Sequence, residues 1–192
     1  MRKLFALVFA LSFATVTLAQ DNTYTDPRDN QTYKTIEVVI KLEAGINIKR
    51  TWMAQNLNYK SANSYCYKGE PAYCEVFGRL YTWDDALSVC PEGWHLSTQK
   101  EWKEVYNSHG GRLTAAPALL KGGDAGLNLV LGGFGDPGEV YTDVGINGNY
   151  WDAEGGSSRT AGLITVYENV EEIFHVQIGN GHRNSVRCVK NY

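Results

Sequence analysis

Four cysteines and four histidines carry the strongest intrinsic chemistry in this chain. Cys66 and Cys74 stand close together, whereas Cys90 and Cys188 lie far apart. Neither spacing holds the tight C-x2-C pair of a zinc site, and no histidine sits at ligand spacing from them. In an oxidising compartment an even count reads as two disulfides, with three possible pairings. Cys66–Cys74 with Cys90–Cys188 is favoured. The first closes a short loop whose Gly69 and Pro71 suit a turn, and the second ties an early helix to the last strand. On the chain-entropy model the long bridge contributes about 4.7 kcal/mol and the short one about 2.6 kcal/mol. His95, His109, His175 and His182 are scattered, and Ser157-Ser158 lacks a nucleophile-elbow pattern. Asp84 and Asp85 are neighbours on an expected helix and do not face one another. Hydrolytic catalysis therefore finds little support, and no metal or cofactor is expected.

Residues 122–160 hold the other concentration of chemistry. Asp136, Glu139, Asp143, Asn147, Asn149, Asp152 and Glu154 could offer oxygens to calcium if the segment folded them together. Calcium needs about six to eight such ligands; the plainer reading is solvated turns. Tyr141, Tyr150 and Trp151 lie in the same segment, while Tyr59, Tyr65, Tyr67 and Tyr73 crowd the short cysteine loop. Exposed aromatics can pack against sugar faces or anchor a protein partner. The candidate ligand-binding set is Tyr141, Asp143, Asn147, Asn149, Tyr150 and Asp152. Trp52, Trp83, Trp94, Trp102 and Trp151 read as core.

The elements that must position these residues are legible in part. Ile36, Val38, Ile40 and Leu42 alternate as a half-buried strand does, Ala44-Gly45-Ile46-Asn47 reads as a turn, and Ile48 to Met53 completes a hairpin. Residues 56–78 show no period. Thr82 precedes Asp85 by three, and Trp83, Ala86, Leu87 and Cys90 share a helical face that Pro91 ends. Thr98 and Glu101 form a capping box before a helix that Gly110-Gly111 stops. A short helix is expected over 113–121. Residues 122–160 read as mostly loop with short strands. Leu163 to Tyr167, Ile173 to Ile178 and Ser185 to Lys190 read as strands, the last with Val186 and Cys188 opposed to Arg187 and Val189.

The chain has 192 residues, 43% hydrophobic and 20% charged, which excludes a disordered tail or a multi-span membrane protein. Arg2 and Lys3, the apolar run Leu4 to Leu18 and small residues ending at Ala19 have the order of a secretory signal peptide. The run is too short to span a bilayer, so no stable membrane span is expected after cleavage. Residues 1–19 are assigned as signal peptide and 20–192 as one domain, secreted, periplasmic or on the cell surface. Losing two basic residues with the leader takes the net charge from −3 to −5. That balance argues against nucleic acid as a partner.

Several blocks resemble the Fibrobacter succinogenes major paralogous domain family. They are Asp26-x-Arg28-Asp29 with Tyr33-Lys34-Thr35, Trp52-Met53-Ala54-Gln55-Asn56-Leu57-Asn58-Tyr59, and Cys90-Pro91-x-Gly93-Trp94-His95-Leu96 followed by Glu101-Trp102. Gly148-Asn149-Tyr150-Trp151 and Ser185-Val186-Arg187-Cys188-Val189-Lys190 complete the set, in family order. Gln55 stands where glutamate is usual, Asn30 replaces a turn glycine, and Glu43 to Lys49 looks like an insertion. The resemblance implies an α+β, C-type-lectin-like fold. Two short helices would pack on small antiparallel sheets beside a long glycine-rich loop region. It also supports the Cys90–Cys188 pairing.

Calcium-dependent lectins of that fold use triplets that Asp136-Pro137-Gly138 and Trp151-Asp152-Ala153 match incompletely. Formylglycine-generating enzymes share the superfold, and His95 to Trp102 is similar to one of their blocks. Those enzymes use a close cysteine pair near the C-terminus, where this chain has Cys188 alone. The expected role is an exported, non-enzymatic binding or adhesion module presenting 122–160 to a carbohydrate or surface protein. A structural cell-envelope component is the alternative, and a formylglycine-generating-like enzyme ranks below both.

Overall fold

The computed structural model describes residues 22–41 and 45–192. The expected signal peptide over 1–19 lies outside them, as does part of the first hairpin turn. In chain order the elements are β1 (Thr23–Thr25), β2 (Thr32–Lys41), β3 (Asn47–Met53), β4 (Ser64–Tyr65), a 3-10 turn (Tyr67–Gly69), α1 (Pro71–Phe77), β5 (Leu80–Tyr81), α2 (Trp83–Val89), β6 (Trp94–Leu96), α3 (Gln99–Ser108), α4 (Ala116–Leu119), β7 (Gly132–Gly135), β8 (Tyr141–Val144), β9 (Asn147–Ser157), β10 (Thr160–Tyr167), β11 (Phe174–Gly179), β12 (Asn184–Ser185) and β13 (Cys188–Lys190). The fold is α+β, with short helices against two sheets.

The first sheet is antiparallel in the order β1-β2-β3-β13-β6. The second runs β11-β10-β9-β12-β5-β4, with β7 and β8 joined beside β9. Its β12–β9 and β7–β9 pairings are parallel, so it is mixed. The central strands have both faces covered. Trp52, Tyr150 and Val189 enter one apolar cluster with Trp102, Leu119 and Ile164. Their neighbours Met53, Trp151 and Cys188 enter a second cluster with Tyr81, Ala86 and Leu96. The two-residue period of a strand sends adjacent side chains to opposite faces, and here both faces are core.

Both favoured disulfides are present. Cys66–Cys74 spans 5.1 Å between Cα atoms and Cys90–Cys188 spans 5.9 Å, within the ordinary range. The capping box forms with both reciprocal bonds: Thr98 Oγ1 accepts from the Glu101 backbone, and Glu101 accepts from the Thr98 backbone at 2.9 Å.

Four sequence expectations are corrected. Residues 71–77 form a helix with Pro71 in its first turn, where the missing N–H costs nothing; seven residues are too few for a period to show. Thr82 occupies the N-cap of α2 without a side-chain cap bond, and Val89 rather than the exposed Leu87 completes its buried face. About half of residues 122–160 lies in strands, and β9 is the longest strand among the described residues. Ser185 to Lys190 is split between the sheets, β12 in one and β13 in the other. The Val186–Arg187 step lies between them with both faces buried, which is why alternation fails.

Candidate functional site

The tyrosines around the short disulfide build one side of a groove. β4 presents Tyr65 opposite Leu80 of β5. The 3-10 turn follows, with Lys68 in the left-handed region at φ 54°. The Cys66–Cys74 bridge fastens that turn to α1. Tyr67 is buried, its ring 5.1 Å from Tyr73 and 5.4 Å from Tyr141.

Tyr141 comes from the other side, on β8. The β7–β8 register sets it opposite Gly135. A Cβ at Gly135 would lie 2.8 Å from Tyr141 Cε1, so only glycine lets the ring lie against the strand. Gly135 and Arg183 also exchange backbone hydrogen bonds of 3.0 and 2.8 Å, which brings in Arg183. Its guanidinium lies 3.7 Å over the Tyr65 ring, Nη1 donates to the Tyr141 hydroxyl at 2.7 Å, and Nη2 is 3.4 Å from Glu139. Burial alone would lower the Arg183 pKa, but the Tyr141 hydroxyl and nearby groups outweigh it and hold the cation above its ordinary value.

The result is a groove of about 750 Å³ between the disulfide-clamped segment and Glu139–Tyr141. Lys60, Lys68 and Arg79 line it with Tyr65 and Tyr141. Aromatic faces beside exposed and half-buried cations suit a polar, ring-bearing ligand.

The other candidate ligand residues lie elsewhere. Asp143 accepts from Asn147 Nδ2 at 3.1 Å, Asn147 Oδ1 accepts from Asn149 at 2.8 Å, and Asn149 Oδ1 accepts from the Thr165 hydroxyl at 2.7 Å. That chain spends the amides and carboxylate on one another. Tyr150 is fully buried, its hydroxyl donating to the Val130 carbonyl at 2.6 Å. It is a core ring and presents nothing to solvent, because β9 has both faces covered over residues 147–152. Asp152 is also fully buried. Its Oδ1 accepts from the Glu154 backbone at 2.9 Å, and Oδ2 meets His175 Nε2 at 3.3 Å. The acids of 122–160 thus do not converge. Among the described residues no group of three or more His, Cys, Asp or Glu side chains is placed to hold a metal ion.

The His175–Asp152 pair borders a hollow of about 320 Å³ with Gln99, Glu154 and Gln177, and no hydroxyl or thiol lines it. His95 shares a second polar cluster, with Nε2 at 3.0 Å from Glu101 and Nδ1 at 2.7 Å from Asn191. The Glu101 hydrogen bond, against partial burial, raises the His95 pKa. Burial would raise Glu101, but hydrogen bonds from His95 and the Thr98 backbone outweigh it and lower that carboxyl.

A cleft of about 450 Å³ reaches Arg187, whose side chain is fully buried. Nε donates to Asn56 Oδ1 at 2.7 Å, Nη1 to the carbonyls of Met53 at 2.9 Å and Leu127 at 2.6 Å, and Nη2 to the Asn128 carbonyl at 2.9 Å. Burial pushes its pKa down, opposed by Tyr150. Asn56 also donates to Ser185 Oγ at 3.1 Å. A block near the start of the fold and one at its end are thereby joined through a single cation. The model of the Fibrobacter succinogenes major domain matches residues 45–190. The chain belongs to that family. No curated protein and no solved structure gives a significant match.

Within the family's span, sequence reasoning missed both Arg187 and the groove. The trace of Arg187 is a lone cation inside Val186-Arg187-Cys188-Val189, flanked by apolar residues on both sides. The trace of the groove is the interleaving of Lys60 and Lys68 with Tyr59, Tyr65 and Tyr67. The partner wall, Tyr141 with Arg183, comes from distant segments that only the β7–β8 register and the Gly135–Arg183 bridge bring together.

Proposed function

We propose that the protein is an exported, non-enzymatic binding module with a C-type-lectin-like core, and that it holds a carbohydrate in the groove between the Cys66–Cys74 segment and Glu139–Tyr141. The observation that carries this reading is the Tyr65–Arg183–Tyr141 stack. Backbone pairings fix all three side chains before any ligand arrives, and a preorganised aromatic wall spends little entropy on binding. Cys90–Cys188 favours the lectin-like core, since it joins the end of α2 to β13 as the resemblance implies. Two disulfides and the leader pattern favour export. Among the described residues no helix is long and apolar enough to cross a membrane.

The test is an oligosaccharide array probed with the mature, oxidised protein, followed by calorimetry on each hit. Tyr65→Ala and Tyr141→Ala weaken binding about tenfold or more, as truncated aromatic anchors do, with thermal melts confirming that the variants fold. Blank arrays, or equal binding by wild type and both variants, would refute the reading. So would hydrolase or oxidase turnover by the purified protein.

A further inference from the structure

The groove has a charge as well as a shape. Lys60, Lys68 and Arg79 line it, and among the described residues that line it the only acid is Glu139. Glu139 is directed at Arg183, 3.4 Å away. Among the described residues Lys60, Lys68 and Arg79 form no ion pair. Lys60 and Lys68 are exposed, and Arg79 makes only long contacts of 3.5 Å with Ser64. These cations face one concavity on a chain whose net charge is −3. A surface charged against the protein's own average attracts the opposite sign locally and excludes bulk anions elsewhere. Arg183 is already committed to Tyr65, Tyr141 and Glu139, so it orders the wall while the other three remain available.

We infer that the groove takes an anionic oligosaccharide, its rings against Tyr65 and Tyr141 and its carboxylate or sulfate groups facing Lys60, Lys68 and Arg79. The inference rests on the carbohydrate reading above and adds the charge class. A nucleic-acid strand also offers rings and anions, but it needs a basic track longer than one bounded groove on an acidic protein.

The experiment is calorimetry of the full mature protein against four probes: an oligogalacturonate, a sulfated oligosaccharide, a neutral oligosaccharide of equal length and a single-stranded oligonucleotide. The inference requires an acidic sugar to bind at least about tenfold more tightly than the neutral one, with affinity falling as salt is raised from about 0.05 M to about 0.5 M. Of the two acidic probes, the one that binds identifies the anionic group. The double variant Lys60→Glu, Lys68→Glu then weakens the acidic sugar about tenfold and weakens the neutral sugar by less, so the preference for the acidic probe falls. Both lysines are exposed and form no ion pair among the described residues, and Lys68 makes only a long 5.7 Å contact with the Tyr67 ring, so the variant keeps the wild-type melting temperature. Equal binding of acidic and neutral sugars, insensitive to salt and to the variant, overturns the charge assignment while the carbohydrate reading stands. Binding of the oligonucleotide alone, or of no probe, overturns both.

Discussion

Replacing Arg187 with methionine tests the central lock of the fold. The variant keeps much of the side-chain length and removes the guanidinium. Four acceptors then lose a donor: Asn56 Oδ1 and the carbonyls of Met53, Leu127 and Asn128. Each buried acceptor left unsatisfied costs about 1–3 kcal/mol. Against this stands the relief of not burying a cation, a penalty of several kcal/mol that the four bonds now offset. If two acceptors find no substitute and part of the relief is recovered, the net loss is about 3 kcal/mol. That is a large share of the roughly 5–15 kcal/mol that stabilises a domain. For a chain of this size it lowers the melting temperature by about 6–12 °C. Differential scanning calorimetry on oxidised protein reads the shift directly, with mass spectrometry confirming both disulfides. Asn56→Ala supplies the control, since it removes one Arg187 partner and the Ser185 contact together. The double variant should be less harmful than the sum of the singles by about 1–2 kcal/mol, because the two residues share one network. A melting point for Arg187→Met within about 2 °C of wild type would refute the argument, since the buried cation would then be neither lock nor liability.

Three further outcomes are expected. The pair Cys90→Ser, Cys188→Ser loses about 4.7 kcal/mol in chemical denaturation and Cys66→Ser, Cys74→Ser about 2.6 kcal/mol, following the lengths of the loops they close. The His95–Glu101 contact gives stability a pH signature. The raised His95 contributes fully below its unfolded value of about 6.5 and loses that contribution as pH rises through its folded value. The lowered Glu101 contributes above its unfolded value of about 4.5 and loses it as pH falls through its folded one. Urea midpoints should therefore decline from pH 6 to pH 8 (about one unit either side of neutrality), and His95→Asn should flatten that slope. Gly162→Ala forces a Cβ to 2.7 Å from both Asp152 carboxylate oxygens, so it should displace Asp152 from His175 and lower the melting temperature by several degrees, about 1–3 kcal/mol of overpacking.

The elements readable from the sequence are those whose local chemistry decides them. Thr98 and Glu101 cap α3 because a capping box needs only residues three apart. The β2–β3 hairpin follows from alternation on a strand with one covered face, as at Val38 and Ile40. Reading failed where tertiary context overrides the local pattern. Asn147 to Ser157, rich in Gly and Asn, looks like loop, yet its central place between β10 and β12 makes it the longest strand among the described residues. Tyr150 reads as available for a ligand because nothing local reveals that both faces of β9 are covered around it, over residues 147–152. The same blindness hid Arg187, whose solvation by backbone carbonyls leaves no carboxylate partner in the sequence to betray it.

The division of labour along the chain follows from these placements. The blocks that carry the family resemblance supply the scaffold: Trp52, Met53 and Asn56, then Cys90, Trp94 and Glu101, then Tyr150 and Trp151, and finally Arg187, Cys188 and Val189 are all buried or bonded to buried partners. The groove takes nothing from them. Lys60, Tyr65, Lys68, Arg79, Tyr141 and Arg183 all lie between those blocks, and they meet because the scaffold fixes the ends of the segments that bear them. Energetically the two sets are close to independent, since exposed Lys60 and Lys68 share no hydrogen bond or ion pair with the Arg187 network. A substitution in the scaffold should therefore change the melting point, whereas a substitution of the groove cations should change affinity at constant melting point. That asymmetry lets one scaffold carry differently charged grooves, because the ligand chemistry sits on segments whose side chains the core does not need.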